Sequence, residues 1–142
     1  MKTIVLGYDD TEPSMRALRR VVEFAKAFGA SVVVVSVARA MTAAGRGIGP
    51  VDPADPPELH REQLSHAKAV LDELGIDGAY EVGLGEPADL IVKLADERDA
   101  DMIVVGTGEP GLIARLLGQS VSETVQRRAH CDVLIVHEGG SR

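Results

Sequence analysis

The sequence predicts a doubly wound α/β fold: a five-stranded parallel sheet with helices on both faces, a three-layer α/β/α sandwich. Three observations carry that prediction. Short β-branched or aliphatic runs alternate with segments of helical period along the chain. Four of the five runs are nearly continuously apolar, without the in-and-out alternation of a strand wetted on one face. Each connection is long enough to carry a right-handed crossover helix back onto the sheet. With 142 residues, 45% hydrophobic and 26% charged, the chain has the size and balance of one globular domain spanning residues 1–142.

The five runs are Thr3–Tyr8, Ser31–Val37, Tyr80–Leu84, Met102–Val105 and Val133–His137. Tyr80–Leu84 is the least apolar and belongs at an edge. The first helix places Met15, Leu18, Val22 and Ala25 on one face and ends before Gly29, a residue type suited to the left-handed turn that closes helices. The second spans about 56–74, opening with Asp55 as cap, prolines in the first turn and Glu58 at the capping-box position; Leu64, Leu71 and Leu74 mark its inner face. The third runs from Pro87 to Arg98 with Leu90, Ile91, Leu94 and Ala95 inward. The last starts at Ser120, whose spacing to Glu123 fits a capping box, and buries Val121, Val125 and Ala129. Residues 40–55, rich in glycine and proline, read as a flexible surface loop. The expected strand order is 3-2-1-4-5.

Composition excludes several functions. A net charge of -7 opposes binding to nucleic acid or to an anionic membrane surface, and 3% aromatic content leaves few platforms for stacking bases. The apolar runs are far shorter than the roughly 20 residues needed to cross a bilayer. The amino terminus enters a strand at once, without the features of a secretory signal, so a cytoplasmic location is expected. Cys131 is the single cysteine, which rules out an internal disulfide and reads as a small buried hydrophobe. His60 and His66 lie six apart on different helix faces, and His130 and His137 flank the last strand, a poor set for a metal.

In a doubly wound sheet the crevice lies beyond the carboxyl ends of the strands where successive crossovers leave in opposite directions, here between the first and fourth strands. Their carboxyl ends read Gly7-Tyr8-Asp9-Asp10-Thr11 and Gly106-Thr107-Gly108-Glu109. Glycines free of Cβ expose backbone N–H groups, and the helix start at Ser120 adds unsatisfied donors, so these turns suit a phosphate. Asp9 and Asp10 would repel that phosphate unless a divalent cation or a ribose hydroxyl stands between, which makes Asp9 a candidate ribose ligand or water-mediated magnesium ligand. Helix capping accounts equally well for Asp9, a role that Asp10 or Thr11 could fill as well, and a tight turn accounts for each glycine taken alone. Gly106-x-Gly108-x-x-Gly111 matches the dinucleotide fingerprint literally but follows the fourth strand and opens no helix at once, so a nicotinamide enzyme is rejected. No nucleophile elbow or Walker loop is present, and no catalytic residue is assigned.

Taken in order, these segments resemble the universal stress protein family over nearly the whole chain. Asp9, Thr11 and Ser14 ahead of Ala17-Leu18 are similar to its opening pattern. Gly85-Glu86-Pro87 leads to Asp101-Met102-Ile103-Val104-Val105-Gly106, Leu116-Leu117-Gly118 precedes Ser120-Val121-Ser122, and Ala129-His130-Cys131-Asp132 opens the closing strand. The resemblance implies an adenine nucleotide alpha hydrolase-like fold, a stress-response role and, in one branch, an adenine nucleotide site marked by Gly-x2-Gly-x9-Gly-Ser/Thr. Gly106 and Ser120 keep that interval, but Glu109 and Gln119 replace the two intervening glycines. A carboxylate about 4 Å from a phosphate costs about 4 kcal/mol at intermediate dielectric, roughly a thousandfold in affinity.

By the same resemblance, ATP or AMP, with Mg²⁺ where ATP is bound, would meet Tyr8, Asp9 and Asp10 at the first strand and Val37 at the base. Gly106, Gly108, Ser120, Val121 and Ser122 would surround the phosphates, with Thr107, Glu109 and Gln119 also counted among the site residues. It also implies a homodimer joined through the last strand, Val133 to Val136, whose exposed edge would otherwise invite uncontrolled pairing. Three functions follow: a nucleotide-binding module, an interaction protein of the same fold without nucleotide, and a slow ATP hydrolase using Asp9, Asp10 or Glu109.

Overall fold

The computed structural model describes residues 1–38, 53–107 and 121–138. Within them the chain runs β1 (Thr3–Gly7), α1 (Glu12–Phe28), β2 (Ser31–Ala38), α2 (Pro57–Glu73), β3 (Gly78–Leu84), α3 (Pro87–Glu97), β4 (Met102–Gly106), α4 (Val121–Arg128) and β5 (Asp132–Val136). The strands form one sheet in the order β3-β2-β1-β4-β5, the order expected from the sequence, with every pairing parallel. β1 lies at the centre, with Val5 facing Val33 of β2 and Ile103 of β4.

The apolar strands are explained by burial on both sides. Ile4, Leu6, Val32, Val34 and Val104 pack under Leu18, Val21, Leu64 and Leu71 of α1 and α2. The alternate residues Val5, Val33, Val35, Ile103 and Val105 pack under Ile91, Ala95 and Val125 of α3 and α4. Each such aliphatic side chain taken out of water contributes about 1.5–3 kcal/mol before the entropy of ordering it is counted. Because α1 and α2 cover one face and α3 and α4 the other, the winding reverses between β1 and β4.

Element ends differ from expectation for local reasons. β3 begins at Gly78 rather than Tyr80, because its pairing with Val32 and Val33 of β2 draws Gly78 and Ala79 into the ladder despite their weak strand preference. α2 ends at Glu73, which leaves Leu74 as a C-cap residue 41% exposed instead of part of the inner face. Its N-cap position is taken by Pro56, not Asp55, and no side-chain cap bond forms there. α1 closes as expected, with Gly29 at φ 68° donating its N–H to the Ala25 carbonyl. Most of the expected 40–55 loop, and Ser120 at the expected start of the last helix, lie outside the described residues. No helix among the described residues is long and apolar enough to cross a membrane.

Candidate functional site

The reversal between β1 and β4 places the carboxyl ends of these neighbouring strands side by side, and the approach is close. A Cβ added at Gly106 would stand 2.0 Å from the Pro13 carbonyl oxygen and 3.1 Å from Ser14 N. Only glycine lets the end of β4 lie directly against the first turn of α1.

That first turn is organised by hydroxyls and one carboxylate. Thr11 is the N-cap of α1, its Oγ1 accepting from Ser14 N, and Pro13 fits the first turn, where no N–H is required. Asp9 Oδ1 accepts from both Thr11 N at 3.2 Å and Thr11 Oγ1 at 2.5 Å. Ser14, buried, accepts from Asp9 N and donates to the Thr11 carbonyl. The capping role weighed for Asp9 thus belongs to Thr11, which Asp9 braces while its side chain remains at the pocket.

Between these elements lies an open pocket of about 520 Å³, within the range of small-molecule sites. Of the residues singled out in the sequence, Tyr8, Asp9, Val37, Gly106 and Val121 line it. Asp10 does not. It adopts a left-handed backbone at φ 61°, which Asp tolerates better than most residues, and its Oδ2 meets His66 Nδ1 at 2.6 Å in a second groove between α1 and α2. Thr107 and Ser122 are also absent from the described lining; Thr107 N instead donates to the Val136 carbonyl at 3.0 Å. Gly108, Glu109, Gln119 and Ser120 lie outside the described residues.

One wall of the pocket carried no motif in the sequence. His60 and Gln63, one turn apart on α2, line the pocket together with Asp55. His60 is buried, its Nδ1 2.5 Å from Ser36 Oγ and its Nε2 2.6 Å from Asp55 Oδ1. A signal for this wall existed: Ser36 interrupts the apolar run of β2, and a hydroxyl in a strand covered on both faces must find partners.

The described lining contains the carboxylates of Asp9 and Asp55 and no lysine or arginine. Such a surface suits a ligand part that donates hydrogen bonds, such as sugar hydroxyls, better than an anion. The charge of both aspartates at the β1 end is felt by Tyr8, whose phenol is pushed well above its usual range by burial first, then by a hydrogen bond with Asp10 and the charges of Asp10 and Asp9. It remains a neutral donor at physiological pH. Elsewhere, Cys131 has its thiol pushed up by burial and by Asp96, which fits an inert packing role. No cluster of three or more metal-ligating side chains occurs among the described residues.

The sequence model of the universal stress protein family matches residues 1–137. The chain belongs to the universal stress protein family. A universal stress protein of Mycobacterium tuberculosis is 38% identical, the match covering 96% of each chain. Among solved structures of the family, that of a universal stress protein from Archaeoglobus fulgidus in complex with dAMP is 29% identical, covers 96% of this chain and 98% of its own, and superposes with a TM-score of 0.71. A universal stress protein in complex with cAMP is also 29% identical, covers 96% and 97%, and has a TM-score of 0.66. Adenine nucleotides are therefore ligands of some members with this fold.

Proposed function

We propose that this family member is a small binding module for an adenine nucleotide, held in the pocket between the carboxyl ends of β1 and β4. The observation that carries the reading is that Asp9, Val37 and Gly106, far apart in sequence, line one pocket of suitable size. Asp9 is suited to accept from ribose hydroxyls, and Val37 at the end of β2 to pack against the base. The phosphates would lie toward Gly106 and the first turn of α4, where backbone N–H groups have no intrahelical acceptor. The relatives' cAMP and dAMP complexes support the ligand class.

The finer form of the proposal is ATP, with Mg²⁺ held through water by Asp9, in a cytoplasmic homodimer that reports energy or stress state to other proteins. β5 supports the dimer: among the described residues it is the terminal strand of the sheet, paired with β4 on one side. No base is assigned for hydrolysis, and the module is read as a binder.

Calorimetric titration of the protein with AMP, cAMP and ATP, with and without magnesium, tests this reading. Saturable heat and a rise in thermal midpoint are expected. Absence of both at millimolar nucleotide would refute it, and binding gained only by E109G would favour the interaction protein without nucleotide.

A further inference from the structure

Ser36 is 1% exposed and engages two groups on the inner face of α2: His60 Nδ1 at 2.5 Å, and Gln63 Oε1, to which it donates at 2.9 Å. His60, 4% exposed, is held at its other ring nitrogen by Asp55 Oδ1 at 2.6 Å. Serine, histidine and aspartate in series invite comparison with a hydrolytic triad, but Ser36 is sealed from solvent and is absent from the described lining of the pocket. With both nitrogens engaged, His60 has no hydrogen bond left for a ligand.

Gln63 is in a different position. It lines the same pocket, its carbonyl oxygen is fixed by Ser36, and its Nε2 has no hydrogen-bond partner among the described residues. An amide pinned through its oxygen presents two N–H donors in a set orientation, with little rotamer freedom left to lose on binding. In a described lining whose other polar side chains are mainly carboxylates and hydroxyls, that makes it the donor suited to an acceptor nitrogen of a heteroaromatic base.

We propose that Gln63 is the specificity-determining residue of the pocket, donating from Nε2 to a ring nitrogen of adenine. Ser36, His60 and Asp55 are positioning residues that hold its amide. The proposal rests on the adenine-nucleotide reading above. A site that offers a donor to a ring nitrogen rejects a base in which that nitrogen is replaced by C–H.

The test titrates the full chain with AMP and with its 1-deaza, 3-deaza and 7-deaza analogues. In the wild type one analogue binds about tenfold more weakly than AMP, the size of one net hydrogen bond. Q63L and Q63E bind AMP as weakly as that analogue and no longer distinguish the two. Q63E preserves an acceptor for Ser36 and serves where Q63L does not fold, which thermal unfolding reads independently. A wild type that binds AMP and all three analogues equally overturns the proposal, as do variants that keep the wild-type ratio. A wild type that binds no AMP removes the adenine-nucleotide reading itself, so the two failures are distinguishable.

Discussion

Replacing Gly106 by alanine probes the contact on which the pocket depends. The new Cβ would meet the Pro13 carbonyl oxygen at 2.0 Å and its carbon at 2.4 Å. Ordinary contacts between such atoms are more than 1 Å longer, and the obstacle is backbone, which cannot rotate aside. The end of β4 and the first turn of α1 must therefore separate, against a sheet paired on both sides of β1. Overpacking of this kind costs about 1–3 kcal/mol, and the rigid partner places G106A near the top of that range. For a chain of this length the thermal midpoint should fall by roughly 10 °C. Urea unfolding followed by circular dichroism measures the difference directly, with an unchanged slope identifying a loss of stability rather than a changed denatured state. Gly7→Ala is the control: its Cβ meets the Ile91 Cδ1 methyl at 3.0 Å, the far end of a flexible side chain, and should cost less than G106A. A G106A variant as stable as wild type would refute the packing argument, and with it the claim that glycine is needed for the two strand ends to share one pocket.

Three further outcomes follow from the same geometry. T11A removes the α1 cap and the partner of Asp9, and should lower stability by about 1 kcal/mol in denaturant titration. H60A leaves Ser36 without one partner in the core and opens a cavity, which should cost about 2–4 kcal/mol, whereas H66A at the exposed pair with Asp10 should change stability by about 0.5 kcal/mol or less. Asp101 accepts from Lys2 N at 2.7 Å and Thr3 N at 3.0 Å, and these bonds hold its carboxyl below its ordinary value of 3.8. Because the folded value is the lower one, its stabilisation is complete above about pH 4 and is lost as pH falls through the folded value. The difference in thermal midpoint between wild type and D101N should therefore hold steady from pH 7 to 5 and close below pH 4; a gap that widens in acid would contradict the assignment.

The fold was legible because period and punctuation agreed. Continuous apolar runs such as Val32–Val35 could be stable only with both faces covered, and their alternation with helical segments left few topologies. The crevice was legible for the same reason: strand order alone brings Asp9 beside Gly106. What escaped was set by geometry that one-dimensional spacing does not carry. Asp10 looked equivalent to Asp9, but a single left-handed φ sends it to His66. His60 was judged against other histidines as a metal ligand, although its partners were a serine on a neighbouring strand and an aspartate five residues earlier. Gln63 carried no motif at all; only the buried hydroxyl of Ser36 pointed toward it.

The central claim is that one adenine nucleotide occupies the pocket between the ends of β1 and β4. Backbone amide chemical shifts of the labelled protein, followed during titration with AMP, test it most directly. The account predicts saturable shifts at Asp9, Thr11, Val37, Gly106 and Val121, with little change along the groove of Asp10, His66 and Leu74. Shifts confined to that second groove, or none at saturating AMP, would contradict it.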